Sequence, residues 1–450
     1  MSIQKSSNPL ACLMNATPVS RRSVLLGASL LGAATLAGCG PSGVGEKDTK
    51  DSKDTGGTLG IEGERTGKEL VLHLSAGHDW DTYKNAIAEF EKEHDIKVTI
   101  QTFQWGDLQQ KITADFLSGQ PADLIEEPGG FWAVRFGTSG DVLPINDFLK
   151  GDTSFLDEFV EAGIDVRSEN GVTYAVPLHV TMGGLIFANQ DMLDSAGVTM
   201  PTTWEEFVDV AKAIQDSGVE YGCALNNDNS YGHPWLLQNG VKFHEDPEAV
   251  LAPVDAAIEA YTAQQDIIYK HKLAPVPVAS NEYSAPRKLF TTNRAGLIIT
   301  GPWDIGAIRT ENPDFPLAVG MPLKHNEHKT NIAGSGLMIP AKSQNAELAF
   351  ELIKALTAPE VQEDLTKTTG MACSRKSWAE SDTVKNDPIL TTVAEARQIA
   401  DSLDRVFFNN MNIAKIGEAH KAAYENIILN GEDPATHVNA FNELVAQYVE

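Results

Sequence analysis

The sequence predicts an α/β protein of two lobes. Apolar strands alternate with amphipathic helices where the folded part begins, and the alternation returns in the middle of the chain. The roughly 380 residues beyond the leader suffice for two sizeable cores.

Leu70, Leu72 and Leu74 alternate with Val71 and His73 in a mostly apolar run, the pattern of a largely buried strand. Ser75-Ala76-Gly77 reads as a turn. Tyr83, Ala86, Ile87 and Phe90 fall at helical spacing. Ile96, Val98 and Ile100 alternate as a second strand. A helix near Leu108 to Leu117 leads to a short third strand, Ala122-Asp123-Leu124-Ile125. Strand, helix, strand, helix, strand implies parallel pairing with right-handed crossovers. Ligands on such sheets bind beyond the carboxyl ends of the strands. Topology alone therefore selects the loops 75–80 and 126–132, and with them His78, Asp79, Glu126 and Glu127.

Val172 to Pro177 and Leu185 to Phe187 read as strands around the pair Gly183-Gly184. Thr203-Trp204-Glu205-Glu206 has capping-box spacing and opens a helix through Ile214. Gly296 to Thr300 is a compact apolar strand ending in Gly301-Pro302. Ile332 to Pro340 is another, interrupted by Gly334 and Gly336. Leu348, Leu352, Ile353 and Leu356 form the stripe of a helix that stops before Pro359. The last 50 residues read as helices around the loop 430–434.

The start of the chain has a different chemistry. "SRRSVLLGASLLGAATLAGCG" has two arginines, then an apolar run of about 14 residues, short of the roughly 20 that span a membrane. It reads as an export signal. Residues 40–67 are rich in Gly, Asp, Lys, Thr and Ser and bury too little to offset their ordering entropy, so a flexible tether is expected.

The chain carries 35 basic and 62 acidic residues, a net charge of −27. Such a surface repels nucleic acid and anionic membrane. Cys223 and Cys373 are the cysteines of the folded part; they could pair after export, or stand as two isolated buried thiols. No CxxC and no zinc-ligand spacing is present, so no metal or cofactor is expected. His325 and His328 in "KHNEHK" read as a solvated loop.

Leu36-Ala37-Gly38-Cys39 resembles the lipobox of bacterial lipoproteins, which implies cleavage before Cys39 and a lipid on it. Ser20 to Leu25 resembles a twin-arginine export signal, departing from it at Val24 and Leu26. The folded chain resembles the extracellular solute-binding proteins of carbohydrate ABC importers. "FEKEHDIKVTIQTF", "ADLIEEPGGFW", "YAVPLHVTMGGLIFANQDML", "TTNRAGLIITGPWDIG" and "SGLMIPAKSQNAELAFELIKAL" carry that resemblance in order. It implies a periplasmic-binding-protein-like (type II) clamp, with the ligand cleft between lobes and crossings near 181–185, Ala333 and Asp401. The boundaries expected are leader 1–39, tether 40–67, first lobe 68–182 and 333–400, and second lobe 183–332 and 401–450. Gly183-Gly184 suits a hinge, because glycine accepts large backbone changes.

A sugar needs aromatic platforms for its C–H face and planar polar groups for its hydroxyls. Trp303 follows a buried strand through a Gly-Pro turn, and the resemblance makes it a stacking platform. Trp235 and Tyr231 are a second platform by resemblance, with Asn227 and Asp228 facing the opposite lobe. One of Trp80, Trp105 and Trp132 is expected to cap the ligand, whereas Trp204 and Trp378 pack on helices. His179 lies just before the expected hinge. Gly334-Ser335-Gly336 offers backbone N–H groups near Ser335. Arg375 follows "GMACS", where the family has a Leu-Pro-containing loop.

The expected function is a lipid-anchored receptor that hands a saccharide to ABC permease subunits at the outer face of the membrane. A sensory or adhesive lipoprotein is the alternative. A hydrolase would need two carboxylates across a bond. Glu126 and Glu127 would point to opposite faces of a strand, but on a loop the spacing decides nothing. No G-x-S-x-G, HExxH or phosphate loop is present.

Overall fold

Three leucines anchor the first sheet. Leu70, Leu72 and Leu74 are at most 1% exposed on one face of β1 (Glu69–Ser75), while His73 meets the opposite layer of helix. The computed structural model describes residues 69–119, 121–278 and 284–449; the leader, Cys39 and the tether lie outside the described residues.

α1 (Asp81–His94) follows, then β2 (Lys97–Phe103), α2 (Trp105–Ser118), β3 (Leu124–Pro128) and α3 (Phe131–Thr138). β1 pairs in parallel with β2, Leu70 opposite Val98, and with β3, Leu72 opposite Leu124. The third strand starts two residues later than its alternation suggests, so Glu126 and Glu127 lie within it and face opposite sides. After short β4 (Val176–Pro177) the chain reaches the crossing strand β5 (Thr181–Met182) and enters a second sheet at β6 (Leu185–Asn189).

The second lobe continues through α4 (Trp204–Asp216), β7 (Tyr221–Ala224), α5 (His233–Gln238), α6 (Val254–Tyr269), α7 (Ala285–Thr291), β8 (Ala295–Thr300), α8 (Trp303–Glu311) and β9 (Leu317–Gly320). Thr203 caps α4, its Oγ1 accepting from Glu206 N–H at 3.2 Å, while Glu206 reaches back to the N–H of Thr202. The second sheet runs β9-β6-β8-β7.

The chain crosses back through β10 (Thr330–Ala333) into β11 (Ser335–Met338), which completes the first sheet in the order β2-β1-β3-β11-β4. α9 (Ala346–Leu356) and α10 (Pro359–Thr369) pack on α1. α11 (Pro388–Arg397) leads to β12 (Ala400–Asp401), and α12 (Ile413–Ile428) and α13 (Pro434–Val449) close the chain.

The three crossing segments form one small sheet, β12-β10-β5, with Ile332 opposite Met182 and Thr330 beside Ala400. Between β10 and β11 sits Gly334 at φ +120°. Its backbone rests on the carbonyl of His179, where any Cβ would collide.

One boundary differs from expectation. The first lobe is expected to run on to residue 400, yet Trp378, Val384, Leu390 and Val393 share a core with Leu185, Phe187, Ile298 and Ile305 of the second, while Ser374 and Lys376 just before them still bond to Val160 and Glu158 of the first. Its apolar stripe is equally compatible with either lobe, and only tertiary packing chooses. Cys223 and Cys373 are both buried and free, so they stand as isolated thiols. His325 is not simply solvated: it lies flat on Trp204, ring centroids 4.1 Å apart.

Candidate functional site

The first lobe contributes a wired polar cluster. At the end of β1, Ser75 Oγ accepts from Gly77 N–H at 3.3 Å, and this tight turn swings His78 back over the sheet. β3 lies beside β1 and presents Glu126 at the same end. One Glu126 oxygen accepts from Ser75 N–H at 2.7 Å; the other meets His78 Nδ1 at 2.5 Å. His179 is wholly buried, its Nε2 2.7 Å from Tyr83 Oη and its Nδ1 3.1 Å from Ser335 Oγ. The His78 and His179 rings meet edge to face at 4.8 Å. Trp80 and Trp105 flank His78 at 4.8 and 5.7 Å.

Burial alone would push the Glu126 carboxyl up. The charge and hydrogen bond of His78, with a hydrogen bond to Ser335 adding to them, outweigh burial and bring it down to about 2. Burial, with His78 beside it, drives His179 well below the ordinary imidazole value, so its ring is neutral. The cluster is thus an ionised carboxylate framed by imidazoles.

Glu127 does not join it. From the opposite face of β3 it accepts from Arg167 Nε at 2.6 Å and from Gly130 N–H at 2.5 Å, both partners fully inside the lobe. That is a buried structural pair, which corrects its assignment to the ligand loop. Asp79 is exposed and paired with Lys84 at 3.1 Å. Arg375 is also structural. Its guanidinium pairs with Glu158, donates to Thr357 O at 2.5 Å and lies 4.8 Å over the Phe159 ring. Trp132 is buried, stacked on Phe136 at 6.0 Å, and caps nothing.

The second lobe contributes aromatic surface. β8 ends at Thr300, Gly301-Pro302 turns the chain, and Trp303 begins α8 half-buried. The indole folds back over Gly301, where a Cβ would collide with its ring. Asp304 fixes this turn: buried, it accepts from Thr300 Oγ1 at 2.6 Å and Arg287 Nη1 at 2.5 Å. Tyr231 stands perpendicular to Trp303 at 6.4 Å. Asp228 is exposed and caps the turn carrying Tyr231, accepting from Ser230 N–H at 2.9 Å. Asn227 adjoins it, half-buried.

Trp235 is not a platform. Every residue of α5 from Pro234 to Gln238 is buried, and Trp235, 3% exposed, packs on Trp204 at 4.9 Å. Tyr83, Arg167 and Asp304 escaped the sequence reading. Asp304 alone had a local signal, a carboxylate next to the platform residue in the first turn of a helix.

Both half-sites border the crossing sheet. His179 and Ser335 adjoin β5 and β10, and a Cβ on Gly301 would lie 2.7 Å from the carbonyl oxygen of Met182 in β5. A ligand held by the cluster and the indole would therefore touch both lobes beside the crossing sheet.

Comparison with known proteins supplies the context. The family model described as "Bacterial extracellular solute-binding protein" matches residues 80–363. The galactooligosaccharide-binding protein of Bacillus subtilis is 24% identical over 377 residues, 82% of each chain. An ABC transporter solute-binding protein of Thermotoga lettingae, solved with α-D-tagatose, superposes with a TM-score of 0.75 at 20% identity, covering 85% of this chain and 100% of that one. The GacH receptor of Streptomyces glaucescens, solved unliganded and with acarbose, gives the same TM-score and identity, covering 85% of this chain and 98% of that one. At these identities the superpositions speak to fold: the chain is a two-lobed α/β clamp.

Proposed function

We propose that this chain, which belongs to the bacterial extracellular solute-binding protein family, captures a saccharide between its lobes and delivers it to the permease of an ABC importer. The family is extracytoplasmic in name, and attachment through Cys39 is the reading that its lipobox-like surroundings support. The observation that carries the saccharide is the pairing of half-sites beside one pivot. Trp303 and Tyr231 offer apolar faces for a sugar ring, and His78, Glu126, His179 and Ser335 offer acceptors and donors for hydroxyls. Asn227 and Asp228 extend the polar rim on the second lobe. The nearby cation Arg287 is already held by Asp304 and Glu311, which favours a neutral sugar over a phosphorylated one.

The site binds rather than cleaves. Glu127 points away from Glu126 into an ion pair, so these two carboxylates do not flank a bond. Function needs differential affinity for the closed state and no covalent step.

The test is a thermal-shift and calorimetric screen of neutral and charged glycans, amino acids and peptides. Saccharides should raise the melting temperature without turnover. Stabilisation by amino acids or peptides alone would overturn the sugar assignment, and released product would overturn the binder.

A further inference from the structure

We propose that His78, Glu126 and His179 form a binding site for a zinc-class divalent metal ion on the floor of the first lobe's half-cleft. The three residues come from separate places: the turn after β1, the strand β3 and the segment before β5. Their spacings of 48 and 53 residues match no sequence pattern for metal, and only the fold unites them. One ligand atom from each lies within 4.8 Å of the other two. In a tetrahedral site with bonds near 2.0–2.1 Å, donors sit about 3.3 Å apart. The ion would part His78 Nδ1 from Glu126, now at 2.5 Å, and draw His179 inward.

Two imidazoles and a carboxylate suit zinc and its neighbours and do not suit magnesium or calcium. The outer contacts are in place. Glu126 keeps one oxygen on Ser75 N–H, leaving the other for the ion. Whichever His179 nitrogen turns to the metal, the other retains Tyr83 or Ser335 as its partner. Glu126 is wholly buried and His78 is 14% exposed, so the fourth position opens on the His78 side, toward Trp80 and Trp105. A water would fill it, or a ligand hydroxyl. The proton between His78 and Glu126 would leave to solvent as the ion enters.

The experiment titrates chelator-treated full chain with zinc alone and then with cobalt, with no saccharide present. A failure here therefore leaves the saccharide reading standing. One ion per chain is expected, with the intense visible bands of four-coordinate cobalt and without thiolate charge-transfer absorption. His78→Ala and Glu126→Gln should each weaken zinc at least tenfold while retaining the wild-type circular dichroism. Of Tyr83→Phe and Ser335→Ala, the one that removes the partner of the His179 nitrogen facing away from the ion should cost about tenfold, and loss in neither would overturn the His179 ligand. His437→Ala, at a surface pair remote from the cluster, should change nothing. Absence of zinc binding, thiolate bands, or binding that survives in folded His78→Ala and Glu126→Gln would each overturn the site.

Discussion

The two proposed half-sites are built on opposite plans. The first lobe presents polar atoms from strand ends, each already bonded to a neighbour: Glu126 to Ser75 and His78, His179 to Tyr83 and Ser335. The second presents ring surface, Trp303 with Tyr231 against it, fixed from behind by Asp304. Bonded polar atoms cost little reorganisation when a hydroxyl arrives, and leaving one unpaired costs about 1–3 kcal/mol. Ring faces bind many sugars alike. The first lobe should therefore govern which ligand is accepted, and the second how tightly.

That contrast can be broken experimentally. The largest effects fall on stability. Glu127→Ala strands buried Arg167 and should cost about 3–5 kcal/mol in chemical denaturation. Trp235→Ala should cost a similar ~3–5 kcal/mol with saccharide affinity nearly unchanged, because it empties a core. A selective loss of affinity there would restore it as a platform. Next, Trp303→Ala should weaken saccharide binding by about 2 kcal/mol, roughly thirtyfold, with little change in melting temperature. Unchanged calorimetric affinity would remove the second half-site. Gly301→Ala, whose methyl would meet both the indole and the Met182 carbonyl, should cost about 1–3 kcal/mol, shared between affinity and stability.

The smallest effect is a pH dependence. The folded chain keeps His179 neutral while the unfolded chain protonates it near its ordinary value, so stability is lost as pH falls below about 6.5. His179→Gln removes that contribution. Its melting temperature should fall less than wild type between about pH 7 and 5.5, a difference of roughly 1 kcal/mol. The half-buried His233 and the buried His420 of the second lobe titrate in both proteins and cancel in the comparison. Parallel curves would refute a neutral His179.

Much of the framework is readable from local pattern. Period-two alternation locates β1 and β2, the 3.6-residue stripe locates α1 and α9, and Gly301-Pro302 marks the turn before Trp303. What escapes depends on partners far along the chain. Glu126 and Glu127 look equivalent in sequence until Arg167, 40 residues on, claims one of them. Arg375 looks like a free cation until Glu158, 217 residues earlier, pairs with it. Trp235 sits in a polar stretch, yet a helix buried from Pro234 to Gln238 turns it inward. The stripe of α11 names no lobe, because an apolar face is satisfied by either sheet.

Gly334 has a consequence for how such a receptor can evolve. It seats one crossing strand on the carbonyl of His179, and the next residue, Ser335, bonds that histidine's ring. Because Ser335 follows that glycine directly, a replacement of Gly334 would shift the crossing strand and a proposed ligand contact together, so the two cannot be tuned independently.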